Sequence, residues 1–168
     1  MPATFINQIN IKKFFYLFSL FALLLSCSEE NNVEGNIVGS WAFESGSVFI
    51  DGTEIPSEDA QDFISFDNTA VLKFNADGTM EFSSKEFGDE SSPGNYSLDK
   101  QTRVLKMTIS YGDDYCETVS MNAKRLTDKE LHLQKIEENV NIEYKDGEWN
   151  YDSEKTHTLL IESRFNRI

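Results

Sequence analysis

Apolar and polar residues alternate along most of the chain, and a helical period is nearly absent. Ala70, Leu72 and Phe74 share one face of an extended segment; Met80 and Phe82, then Tyr96 and Leu98, then Leu105, Met107, Ile109 and Tyr111 repeat it. Val119, Met121 and Ala123 continue the pattern, followed by Leu131 and Leu133, by Val140, Ile142 and Tyr144, and by Leu159, Ile161 and Phe165. A period of two belongs to a half-buried strand, whose successive side chains point to opposite faces. Between the runs stand Asp51-Gly52, Asn75-Ala76-Asp77-Gly78, Ser92-Pro93-Gly94, Asp99 to Thr102, Gly112-Asp113-Asp114, Thr127-Asp128-Lys129 and Asp146-Gly147. Gly, Asp and Asn reach the positive φ values that tight hairpins need. About eight to ten consecutive strands joined this way leave two open edges unless the sheet closes. The pattern predicts an all-β fold, an up-and-down antiparallel β-barrel.

One stretch departs from it. Pro56 to Ile64 carries a cap residue, early acids and an apolar face of Ala60, Phe63 and Ile64, the signature of a short helix; a solvated acidic loop is the alternative.

The N-terminus follows other rules. Lys12 and Lys13 precede an apolar run from Phe14 to Leu25, broken only by Ser19. A membrane-spanning helix needs roughly 20 apolar residues, and this run is shorter. Residues 1–26 therefore read as a signal peptide. Leu24-Leu25-Ser26-Cys27 resembles the lipobox of bacterial lipoproteins, in which the cysteine is acylated and becomes the first residue of the mature chain. Cys27 is the expected lipidation site, residues 27–34 a lipidated cysteine and polar tether, and 35–168 the folded domain. Glu29-Glu30 resembles an export signal to the outer face of the outer membrane, so the expected location is the cell envelope, as an outer-membrane lipoprotein on its periplasmic or exposed face.

Cleavage takes the 15 basic residues to 13 against 29 acidic ones, a net charge of −16. Such a total repels nucleic-acid phosphates and anionic lipid headgroups. With Cys27 acylated, Cys116 has no partner for an intramolecular disulfide, and the domain must stand on its core.

Four segments in order carry a family resemblance: Ile37-Val38-Gly39-Ser40-Trp41, then Leu72 to Thr79, Gly94-Asn95-Tyr96-Ser97-Leu98, and Arg125 to Leu133. Together they resemble the lipocalin-like domain of bacterial outer-membrane lipoproteins. The tail from Glu137 to Ile168 exceeds the family's usual ending and reads as an extra or extended hairpin. The resemblance implies that Gly39 and Trp41 close one end of the barrel beneath an arginine of a late strand. Arg164 is the candidate, with Arg125 and Arg103 as rivals. It also implies a binding barrel, and it does not imply catalysis.

Catalytic chemistry is sparse. His132 and His157 lack metal-ligand spacing, and the acidic neighbours of Cys116 oppose thiolate formation, which points to a small packed strand residue. Glu86 to Glu90 and Asp113-Asp114 read as solvated turns, without the spacing of a calcium loop. The expectation is a non-enzyme without cofactor or metal that meets the membrane through the lipid on Cys27. It would bind a small apolar or amphipathic ligand inside the barrel; the alternative is a filled barrel contacting an envelope protein or a glycan.

Overall fold

The computed structural model describes Val33 and residues 35–168, apart from 61–62, 65, 87, 89, 113–114, 146–147 and 151–153. The signal segment and Cys27 lie outside the described residues, as does the Asp146-Gly147 turn. The strands are β1 (Gly39–Ile50), β2 (Thr53–Glu54), β3 (Val71–Phe74), β4 (Thr79–Ser83), β5 (Ser92–Asp99) and β6 (Val104–Ser110). After them come β7 (Cys116–Leu126), β8 (Glu130–Val140), β9 (Glu143–Lys145), β10 (Glu148–Asn150) and β11 (His157–Arg167). A one-turn helix, α1 (Ser57–Ala60), occupies part of the stretch read as helix or loop.

Eight strands, β1, β3 to β8 and β11, form a closed antiparallel barrel, in which each pairs with the next and β11 returns to β1 from Trp41↔Arg167 to Ile50↔Leu159. Closure gives each of the eight strands two paired neighbours, as the hairpin pattern requires. β2 adds two residues beside the far end of β1. The tail is an extended β8–β11 hairpin with the small β9–β10 hairpin in its connection.

The turn motifs lock to each other at one end. Gly78 takes φ 86°, and Asp77 Oδ1 accepts the Thr79 N–H at 3.0 Å and its hydroxyl at 2.7 Å. The Tyr96 N–H then donates to Gly78 O at 2.9 Å and its phenol to Asn75 O at 2.8 Å. Two of the four segments that carry the family resemblance are thereby bonded side by side.

Alternation holds within strands and slips at bulges. In β1, Trp41 and Phe43 face inward; a register shift between Phe43 and Ser45 then turns Val48 inward, opposite Ile161. An extra residue on one strand moves every later side chain to the other face.

Two apolar cores result. The barrel interior holds Trp41, Leu72, Phe74, Leu105, Met107 and Leu131 among its buried residues. The second core, Val48, Ala60, Ile142, Leu159 and Ile161, lies where β1, β8 and β11 run on past the barrel and meet α1. We call the two ends the floor and the mouth. The floor carries the turns at 75–78, 99–103 and 127–129; the mouth carries the described residues of the connections from β2 to β3, β4 to β5, β6 to β7 and β8 to β11.

Candidate functional site

At the floor, the Cζ of Arg167 lies 5.0 Å from the ring centroid of Trp41, whose side chain has no exposed surface. The indole N–H donates to Ile37 O at 2.7 Å, so its polar tip is satisfied where its ring is buried. Arg167 donates to Val38 O, to Asn36 O at 3.3 Å and to Asp128 O at 3.4 Å. One guanidinium thus ties the incoming chain, β1 and the β7–β8 turn together. Gly39 has φ 138°, and a Cβ there would stand 2.8 Å from that guanidinium. Only glycine suits both the backbone angle and the contact.

The arginine over Trp41 is therefore Arg167, which corrects the assignment to Arg164. Arg164 is exposed, opposite His132 and Ser45; Arg125 is exposed and paired with Glu130 at 2.9 Å; Arg103 is exposed in the β5–β6 turn at φ 60°. The signal was present in the sequence. Leu159, Ile161 and Phe165 set the inward parity of β11, and Arg167 shares it whereas Arg164 does not.

Among the described residues, aromatic rings fill much of the interior. Phe66, from the connection between α1 and β3, packs edge-on against Phe165 at 5.1 Å and Phe82 at 6.1 Å, and beside Phe43 at 6.1 Å. The cavity beside it measures about 30 Å³ and is lined by Phe66, Met107, Ile109 and Ser163. A pocket for a small organic ligand usually has ~300–1,000 Å³. Glu117 and Lys135 border the cavity where β7 and β8 separate, since their pairing runs only from Asn122↔Gln134 to Leu126↔Leu131.

Larger spaces lie at the mouth. A groove of about 330 Å³ is lined by Ile50, Ile55, Ile142, Trp149, Lys155 and His157. Trp149 stands edge-on to Phe63 at 4.8 Å and donates its indole N–H to Asp59 O at 3.0 Å. Its rim is held by Lys155 with Glu143 at 2.8 Å and by His157 with Asp51 at 2.7 Å. The Thr158 N–H and then His157 hold the Asp51 carboxyl below its usual range. A second groove of about 430 Å³ opens above Phe66, between Phe43, Gly46, Ile64 and Asp67. The Ser84 hydroxyl, then the Thr69 hydroxyl, then the Thr69 N–H keep Asp67 ionised below the ordinary carboxylate range.

The other singled-out residues are dispersed. His132 faces outward on β8, away from Leu131 and Leu133, with Nε2 3.5 Å from Glu162 Oε2. Cys116 opens β7 and is exposed, 3.3 Å from the Ser110 hydroxyl, which corrects its reading as a packed residue. Glu86 and Glu90 are exposed. Among the described residues no three His, Cys, Asp or Glu stand together as a metal site. Comparison with family models, with curated proteins and with solved structures finds no match to this chain, so fold and geometry carry the functional reading.

Proposed function

We propose that this chain is a lipocalin-like lipoprotein, anchored to the cell envelope through acylated Cys27, that acts as a non-enzymatic interaction module. It recognises an envelope protein or glycan at its mouth and holds no ligand in its interior. One observation carries the choice between the two expected modes: the cavity beneath Phe66 measures about 30 Å³, against grooves of about 330 and 430 Å³ that open at the mouth. The Trp149 groove has the make-up of a recognition site, an apolar floor with a few fixed charges at its rim. Support for the anchor comes from the charged, apolar and small-residue order that ends at Cys27.

Ligand capture inside the barrel is the second reading. What favours it is that Phe66 belongs to a connection and not to a barrel strand, so its ring could leave without breaking the ladder.

Native mass spectrometry of the mature protein, purified from its own membranes, separates the two. The filled-barrel reading predicts the mass of the acylated polypeptide alone. A retained small molecule that added fatty acid displaces would establish the second reading. Loss of fatty-acid labelling in Cys27→Ala tests the anchor, and labelling that persists would refute it.

A further inference from the structure

The net charge of −16 suggests a surface hostile to anionic lipid, yet the charge is unevenly placed. Lys100 and Arg103 lie in the β5–β6 turn, Lys106 on the outer face of β6, Lys124 and Arg125 at the end of β7, and Lys129 in the β7–β8 turn. Register makes them neighbours. Val104 pairs with Asn122 and Lys106 with Ser120, and the Ala123 N–H donates to Arg103 O at 2.7 Å. Lys100, Arg103, Lys106, Arg125 and Lys129 are exposed. Among the described residues, Arg125 alone of the six is in an ion pair.

The acids of this strip are fewer. Asp99 is turned back to accept the Gln101 and Thr102 N–H groups at 2.8 and 3.2 Å, Glu130 is Arg125's partner, and Asp128 completes the set. The mouth has the opposite balance, with Asp51, Glu54, Glu86, Glu90, Glu138 and Glu154 exposed. The barrel is therefore basic along one side of its floor and acidic at its mouth.

The incoming chain meets the same end. Val33 bridges Leu126 in parallel, and the Gly35 N–H donates to Leu126 O at 3.0 Å, beside Arg125 and Lys124. From Cys27 to Val33 a fully extended chain reaches at most about 20 Å. We infer that the floor strip of Lys100, Arg103, Lys106, Lys124 and Lys129 lies against the anionic phospholipid headgroups of the membrane that holds the lipid on Cys27. The inference rests on the reading of Cys27 as lipidated and adds an orientation to it: floor to the bilayer, mouth and its grooves outward.

The acidic mouth does not cancel this attraction. β11 is 11 residues long, about 36 Å at the strand rise, which is several screening lengths of about 8 Å in physiological salt. Glu29 and Glu30 of the tether stand closer to Cys27 in sequence and offset part of the attraction, and the cations of the floor strip supply the rest of the charge that faces the headgroups.

Amine acylation followed by mass spectrometry tests the orientation, with the mature protein in vesicles of equal parts phosphatidylglycerol and phosphatidylcholine, in phosphatidylcholine alone, and in detergent. Labelling of Lys100, Lys124 and Lys129 should fall about fivefold in the anionic vesicles, the scale of one lysine at an anionic surface. Lys85 and Lys155, in the mouth connections, should label equally in all three. High salt should restore the floor lysines. Equal labelling of floor and mouth lysines on anionic vesicles would overturn the inference while leaving the anchor intact.

Intact mass reports acylation in the same samples. If Cys27 carries no lipid, the anchor reading alone fails, and sedimentation of the chain with the anionic vesicles decides the rest. Salt-sensitive binding that Arg103→Glu with Lys124→Glu abolishes supports the basic face; no binding overturns it.

Discussion

Arg167, the penultimate residue of the chain, covers the fully buried indole of Trp41 at 5.0 Å while its guanidinium bonds three backbone carbonyls. A cation over an indole contributes about 0.5–2 kcal/mol, and each hydrogen bond from a charged donor about 1.5–3 kcal/mol before losses elsewhere. Arg167→Ala should lower stability by about 3 kcal/mol in urea titrations, a large fraction of the 5–15 kcal/mol typical of a domain. Arg164→Ala, on the exposed face, should stay within about 0.5 kcal/mol. Equal effects of the two would refute the assignment. Gly39→Ala should cost more than about 1 kcal/mol in the same assay, because the backbone angle and the guanidinium both oppose a Cβ.

Acid should find a weak point at Asp67. Its folded pKa is lowered, first by the Ser84 hydroxyl and then by Thr69. Its contribution is therefore complete above the unfolded carboxylate pKa of about 3.9 and is lost as pH falls through the lower folded value. Asp51, Asp77 and Asp99 shift the same way. Urea midpoints measured from neutral pH down to about pH 2.5 should drop for the wild type, and Asp67→Asn should be less stable at neutral pH with a shallower acid limb. Parallel curves would show that the carboxylate contributes nothing specific.

Trp149 follows a turn and has polar neighbours, and by sequence it should matter less than Trp41. It is nevertheless built into the mouth, against Phe63 and the carbonyl of Asp59. Trp149→Ala should speed hydrogen exchange at Asp59, Ala60 and Phe63 and leave β5 to β7 unchanged, since local opening follows local contacts. Uniform acceleration over the barrel would mean the two cores unfold together.

The closed barrel was legible because Leu105, Met107 and Ile109, or Leu131 and Leu133, repeat with a period that admits one element type. Trp41 was legible as part of a spaced pattern, and Arg167 should have been, by the parity of Phe165. Phe66 was not. It sits in an aperiodic connection, and nothing local distinguishes a ring that inserts into the barrel from one that caps its rim. The bulge after Phe43 was equally silent, because Glu44 and Ser45 satisfy either register until β11 is placed beside them. Charge polarity escaped for another reason: the net total adds residues that the fold sends to opposite ends.

Trp41 gives the proposed filled barrel, with recognition outside it, its most direct test. Trp149→Phe leaves Trp41 as the chain's single tryptophan, buried at the floor of the interior. Its emission, read while a long-chain fatty acid is titrated in, should be blue-shifted, resist iodide quenching, and stay unchanged, because about 30 Å³ holds little more than a water or two. Phe66→Ala in the same background should lose about 3–5 kcal/mol of stability if the ring is the packed plug described. A saturable change of Trp41 emission at one fatty acid per protein, with Phe66 intact, would contradict the filled barrel.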